Sequence, residues 1–278
     1  MDYEQLKAAS LRLGNTFLRI QGARGCTSFK EDGWLTIKAP EKWLARAFDE
    51  ATFVTLSQKK LDPASEAALH AAIPAAYVFH THSLPLLAYT VQKNGQQQLK
   101  EKLEELEWSW IPYVQGEALV NAVRSVSTRT IVLQNGGLIV SGEDPWELLE
   151  LMDEIEARLH PLHRKHAWTS FTPPANSRLP HDERTHFLAL DRSARESLKL
   201  MLYPEQAPLI DSSQFTIMPE GVALAKTISP EIELALLAHA LLMQRIPENA
   251  QLSLLTSSKP RQHPYEWVRE TLLTRKQL

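Results

Sequence analysis

The chain has 278 residues, 44% hydrophobic and 23% charged, with 30 basic against 33 acidic side chains and one cysteine. That length can bury a sizeable core, the composition excludes global disorder, and the charge balance offers nucleic acid no basic surface. Cys26 alone cannot close an intrachain disulfide, no apolar run approaches the roughly 20 residues of a spanning helix, and Met1-Asp2-Tyr3-Glu4-Gln5 does not read as a signal peptide. The expectation is therefore a cytoplasmic protein with neither membrane nor nucleic-acid partners.

Leu6, Ala9, Leu11 and Leu13 predict a helix over 3–13, and Thr16–Gln21 reads as a strand that Gly22-Ala23-Arg24-Gly25 breaks. Gly33–Lys38 alternates and predicts a second strand. Pro63 precedes a helical stretch over 64–73 that Pro74 ends, and Ala76–His82 is a strand. Leu99, Leu103 and Leu106 predict a helix over 96–108 with one face in water. Ile131–Leu133 and Leu138–Val140 are short strands around Asn135-Gly136-Gly137. Asp144 as cap, Pro145 at the first helical position and Glu147 three residues on mark the clearest helix start, followed by Leu149, Met152, Ile155 and Leu159 on one face. Residues 160–185 are rich in His, Pro and Arg. Ser229-Pro230 starts an apolar helix through about Arg245, and 264–275 reads as a last amphipathic helix. The pattern is mixed α/β, with units at 1–165 and 185–278 joined by a linker over 166–184.

His80-Thr81-His82 is the strongest local signal for chemistry. Residues i and i+2 of a strand share a face, which puts their α-carbons about 6.5 Å apart. One divalent metal can accept both imidazoles. Glu66 stands at the start of the helix that leads into this strand, where a carboxylate can serve as ligand or general base. Taken alone, each feature has an ordinary reading: two strand histidines bonded locally, and an acid favoured by a helix N-terminus.

Several separated stretches together resemble the class II aldolase/adducin family, nearest to the aldolase half of bifunctional rhamnulose-phosphate aldolase/dehydrogenase proteins. They are Gln21–Lys30, Leu35–Ala39 with Trp43-Leu44, Pro63–Ala71, Val78–Ser83, Ile111–Gly116 and Val132–Gly142. Leu202-Tyr203-Pro204-Glu205-Gln206 is similar to a stretch of the extended members. The resemblance implies an α/β fold of three αβα layers around a mostly antiparallel sheet, with an α+β lobe after it. It also implies a zinc or other divalent ion and aldol or retro-aldol cleavage of a small carbonyl compound or sugar phosphate. His80 and His82 match metal ligands, Glu66 the acid/base and Tyr113 a proton donor. Gly25, Cys26, Thr27, Ser28 and Lys38 match substrate-binding positions. A homo-oligomer, a tetramer in many members, is implied as well.

Three positions depart from the family pattern. Gly136 stands where the third metal histidine belongs, Cys26 replaces an asparagine, and Pro40-Glu41 replaces a Ser-Gly turn. Proline lacks an N–H and Glu41 adds negative charge, so both oppose phosphate binding, which Arg24 and Lys38 could partly offset. Replacement ligands are available in His70, His160, His163, His166 and Cys26. Two readings follow. One is a metal-dependent lyase acting on a small hydroxylated carbonyl compound, unphosphorylated or phosphorylated. The other is a degenerate, adducin-like binding or assembly module.

Overall fold

A computed structural model describes residues 2–159, 161–209 and 212–255; His160 and the helix expected over 264–275 lie outside the described residues. The chain opens with α1 (Asp2–Gly14), which buries Leu6, Ala9 and Leu13. The stretch 16–21, expected as a strand, is a turn instead: the N–H groups of Arg19 and Ile20 both donate to the Thr16 carbonyl, at 2.8 and 3.0 Å. Its neighbours explain why. Phe17 and Leu18 pack into the second core. The Arg19 guanidinium is held by Asp153 at 2.5 Å and Glu156 at 2.9 Å. The segment braces two regions rather than joining the sheet.

Strands β1 (Cys26–Glu31), β2 (Trp34–Lys38) and β3 (Phe53–Ser57) form an antiparallel meander. Helix α2 (Glu66–Ala72) follows, capped by Ser65, whose Oγ accepts the Ala68 N–H at 3.0 Å. Next come β4 (Tyr77–Thr81), α3 (Leu84–Thr90), α4 (Gly95–Lys102), β5 (Ser109–Ile111), α5 (Glu117–Arg124), β6 (Thr130–Leu133), β7 (Gly137–Gly142) and α6 (Pro145–Leu159). The cap read at Asp144 is present, its Oδ1 accepting the Trp146 N–H at 2.7 Å. Helix α4 stops earlier than its leucine spacing suggests; the chain turns there, with the Leu106 N–H on the Leu103 carbonyl at 3.0 Å.

The seven strands lie in the order β3-β2-β1-β4-β7-β6-β5, antiparallel except for the β5–β6 pair. Strand alternation gives the sheet two apolar faces. Phe29, Tyr77, Phe79, Leu138 and Val140 pack with residues of α1, α4 and α6. Val78, Ile131 and Ile139 pack with residues of α2 and α5. The result is a three-layer α/β unit with a mostly antiparallel centre.

The C-terminal region holds β8 (Ser177–Arg178), α7 (Phe187–Leu190), α8 (Arg192–Ser197), β9 (Phe215–Met218), β10 (Gly221–Ala225) and α9 (Pro230–Met243). Its small antiparallel sheet runs β8-β10-β9. The expected linker packs onto this region, with Trp168 stacked on His186 at 4.2 Å, and just before it the Arg164 N–H meets the Gln244 carbonyl at 2.7 Å. Helix α3 joins the two regions. Every one of its residues is buried, and Leu84, Leu87 and Ala88 share a core with Leu236, Leu241 and Met243 of α9. A helix apolar on all sides is one covered on all sides. Because α3 directly follows His80 and His82, the C-terminal region is fixed beside the metal motif. No helix of the described residues is long and apolar enough to cross a membrane.

Candidate active site

Two glycines hold the histidine strand in place. Gly25 (φ +69°) passes so close that a Cβ there would meet Ile20 Cδ1 at 2.2 Å and the His80 carbonyl oxygen at 3.1 Å. On the other side, a Cβ on Gly137 (φ +103°) would meet the Thr81 oxygen at 2.2 Å. Glycine alone tolerates both the conformation and the approach. Cys26 pairs with His80 across β1 and β4, and His80 with Ile139 across β4 and β7, so these side chains share the face that packs against α2. His82 lies just past β4, its N–H on the Arg19 carbonyl at 3.1 Å. Its ring centroid is 5.1 Å from that of His80.

Glu66 is the centre of this face. Its Oε1 lies 2.7 Å from His80 Nδ1 and 3.3 Å from His70 Nε2. On the far side, His80 Nε2 lies 3.0 Å from the carbonyl oxygen of Gly136. The Gly136 carbonyl can only accept, so His80 Nε2 donates to it; with Glu66 ionised, Nδ1 donates as well and the ring is charged. Desolvation pushes the Glu66 carboxyl up, but the His80 charge and the bonds from both histidines outweigh it, and the carboxyl sits well below its usual range. Burial drives His70 the opposite way, below the ordinary imidazole value, despite Glu66. Neutral His70 places its proton on Nε2 toward Glu66, and Nδ1 accepts from the Ser28 hydroxyl at 2.7 Å.

The residue that stands at the lost histidine position bonds His80 through its backbone carbonyl instead. In this arrangement both His80 nitrogens are engaged, and the family's ligand set would need His80 to give up one of these bonds. A different set fits. Ligand atoms of Cys26, Glu66 and His70 all lie within 4.8 Å of one another. Thiolate, imidazole and carboxylate are all zinc-type donors, and with a metal on Nε2 the His70 Nδ1–H would donate to Ser28, the usual outer bond of a metal histidine. Burial, with the Glu66 charge adding to it, pushes the Cys26 thiol far up, so a bound cation would be what deprotonates it. Of the other replacement histidines, His166 pairs with Asp191 at 3.1 Å in the C-terminal region.

The remaining sequence candidates divide. Thr27 is buried, with its hydroxyl 2.7 Å from that of Ser10. The Lys38 ammonium donates to the carbonyls of Ala23 at 2.9 Å, Lys42 at 3.0 Å and Ala39 at 3.4 Å. It ties the glycine-rich loop to the following turn, and burial lowers its pKa. Tyr113 stands beyond β5; its N–H meets Gln134 Oε1 at 3.2 Å and its hydroxyl accepts from Gln115.

A cavity of about 460 Å³ opens between the two regions of the chain; His82 lines it, while Cys26, Glu66, His70 and His80 do not. Gly22, Arg24, Glu41 and His82 line it from one side, Tyr203 and Glu231 from the other. Tyr203 has a fixed orientation. The Ser197 hydroxyl donates to the Ala194 carbonyl at 2.7 Å, so it accepts from His239 Nε2 at 2.8 Å. His239 Nδ1 then accepts the Tyr203 phenol proton at 3.2 Å. Burial holds His239 neutral, with its pKa down at about 3. Sequence reasoning gave neither Tyr203 nor Glu231 a role in the site. The Leu202–Gln206 likeness was the one available pointer to Tyr203, and nothing pointed to Glu231. The turn that lacks the third histidine is also tied to the C-terminal region: Asn135 Nδ2 donates to the carbonyls of Leu202 at 2.5 Å and Ser253 at 2.9 Å.

Comparison with known proteins agrees with this architecture. The N-terminal class II aldolase domain of a conserved protein from Thermoplasma acidophilum superposes with a TM-score of 0.50 at 19% identity, over 57% of this chain and 92% of that one. L-fuculose-1-phosphate aldolase from Thermus thermophilus gives 0.43 at 17% identity, over 56% and 92%. A sugar-phosphate aldolase from Thermotoga maritima gives 0.47 at 14% identity, over 56% and 91%. A search of curated proteins found no match. The family model for the class II aldolase and adducin N-terminal domain matches residues 5–160, more than half of the sequence, and the chain belongs to that family.

Proposed function

We propose that this protein is a metal-dependent lyase of the class II aldolase type, acting on a small, sugar-derived hydroxylated carbonyl compound. The observation that carries the reading is Glu66, at the family's acid/base position, bonded at 2.7 Å to His80 and grouped with Cys26 and His70. Cys26, Glu66 and His70 are the residues that would hold the cation, and zinc suits this donor set. A divalent cation, when bound, supplies Lewis-acid stabilisation for negative charge developing on a carbonyl oxygen.

The chain's own residues supply the rest. Glu66 is ionised at neutral pH; holding the cation makes it a weaker base than a free carboxylate, and the proton it takes up or returns would be shared with His80, 2.7 Å away. His82 orients the compound in the cavity, and Tyr203 and α9 close the far wall against water. Tyr113 is a proton donor only if a neighbouring subunit brings it to a cavity, which fits a homotetramer. The reading places the protein in the cytoplasm and in carbohydrate metabolism.

The low Glu66 carboxyl favours a second reading. A carboxyl held so far down is a weak base, which with Gly136 suits a degenerate binding module. A retro-aldol assay on zinc-supplemented protein separates the two. Turnover that drops about 100-fold or more in Glu66→Gln supports the lyase. Turnover indifferent to Glu66→Gln, or absent from wild type across short ketoses and their phosphates, removes it.

A further inference from the structure

Some of the groups with which a glycine-rich loop and its following turn would hold a phosphate are present in the sequence, Thr27, Ser28 and Lys38 among them, yet few remain available. The Thr27 and Ser28 side chains are both at 0% exposure. One hydroxyl is spent on Ser10 and the other on His70, each at 2.7 Å. Ser28 stays out of reach whichever way the proton on His70 is placed, because the pair is buried. All three Lys38 N–H groups are directed at backbone carbonyls. Pro40 has no N–H to offer. Of the basic residues named by the resemblance, Arg24 alone lines the cavity, and two carboxylates line it too, Glu41 from the turn and Glu231 from the first turn of α9. Glu41 sits at φ +61°, a conformation a Ser-Gly turn would fill with glycine.

We propose that this pocket takes an uncharged, unphosphorylated polyhydroxylated carbonyl compound, and that Glu41 and Glu231 select it by accepting hydrogen bonds from its hydroxyls while repelling a phosphate dianion. Carboxylate acceptors bind hydroxyl donors strongly, and like charges across an interface exclude the wrong partner. Among the residues that line the cavity, one guanidinium stands against two carboxylates, so the lining itself has no excess of positive charge for a phosphate ester. The cavity of about 460 Å³ has room for a short sugar chain. This inference deepens the lyase reading and takes its site from it, but it concerns binding and is tested without turnover.

The probes are dihydroxyacetone and dihydroxyacetone phosphate, a pair that differs in the phosphate alone and is achiral, so stereochemistry does not enter. Binding is followed by ligand-observed NMR at fixed ionic strength with the zinc-supplemented full chain. Dihydroxyacetone is expected to bind about tenfold or more tightly than its phosphate. Glu41→Lys is expected to reverse that preference, with the melting temperature as control for folding; Glu231→Gln is expected to narrow it. Tighter binding of the phosphate by wild type overturns the proposal, as does failure of dihydroxyacetone to bind at millimolar concentration, or a preference that neither variant alters. Selective dihydroxyacetone binding without any retro-aldol turnover supports this inference and removes the lyase. Turnover of a phosphate ester keeps the lyase and overturns this inference.

Discussion

In the N-terminal unit, His80 lies between a carboxylate and a carbonyl; in the C-terminal region, His239 lies between two hydroxyls. Both rings are buried, His80 at 8% and His239 at 0% exposure, so burial does not distinguish them. Their partners do. A carbonyl on one side and an ionised Glu66 on the other match a charged ring, and that charge lowers the Glu66 carboxyl. One hydroxyl that accepts and one that donates match a neutral ring, and with no carboxylate to compensate, desolvation decides. The first cluster stores charge next to a carboxylate that keeps 40% of its side-chain surface exposed. The second holds Tyr203 at the cavity wall. On the proposed reading, chemistry belongs to the first cluster and scaffolding to the second.

The sharpest way to break this contrast is Glu66→Gln. It should cut lyase turnover about 100-fold or more while the protein remains folded, because the amide keeps a hydrogen-bonding group near His80 but cannot accept a proton. His239→Phe should do the reverse, costing about 2–4 kcal/mol in denaturant unfolding, since it leaves Ser197 and Tyr203 without their buried partner.

Acid unfolding separates the two clusters by pH window. The folded-state pKa of His239 is depressed from 6.5 to about 3. The unfolded chain therefore binds the extra proton first, and stability falls as pH drops from 6.5 toward 3, by up to about 1.4 kcal/mol per pH unit. Glu66 is depressed below 4.5, so its contribution is complete above that pH and is lost as pH falls through the lower folded value. His239→Phe should flatten the upper window, and Glu66→Gln the lower one.

Smaller effects test how the two regions are joined. Asn135→Ala removes both bonds to the C-terminal region and puts alanine at φ +58°; a loss of about 2 kcal/mol is expected, with faster amide exchange around Leu202 and Ser253. Gly136→His should cost only about 1 kcal/mol, because its Cβ would meet Leu133 Cβ at 3.0 Å and a slight shift relieves it.

Much of the first unit was legible in the sequence. The cap at Asp144, the helical stretch between Pro63 and Pro74, and the alternation in Trp34–Lys38 are local signals, and local geometry obeys them. Thr16–Gln21 misled because its apolar residues serve a core formed by residues far along the chain. Strand β1 hid behind the glycine-rich loop, since Cys26-Thr27-Ser28 shows no apolar alternation; its polar side chains are buried against partners that no spacing reveals. The site divided in the same way. Glu66, His80 and the loss at Gly136 were visible from motif positions. That the Gly136 carbonyl takes up His80, that Lys38 is a brace, and that Tyr203 and Glu231 complete the cavity are consequences of tertiary packing.

The central claim is that the family's metal site has been rebuilt around Glu66 with Cys26 and His70, and metal content tests it most directly. Purified, zinc-supplemented wild type should hold about one equivalent, Cys26→Ser about a tenth or less, and His82→Ala close to the wild-type value. Metal-free wild type, or zinc kept by Cys26→Ser and lost from His82→Ala, would contradict the account.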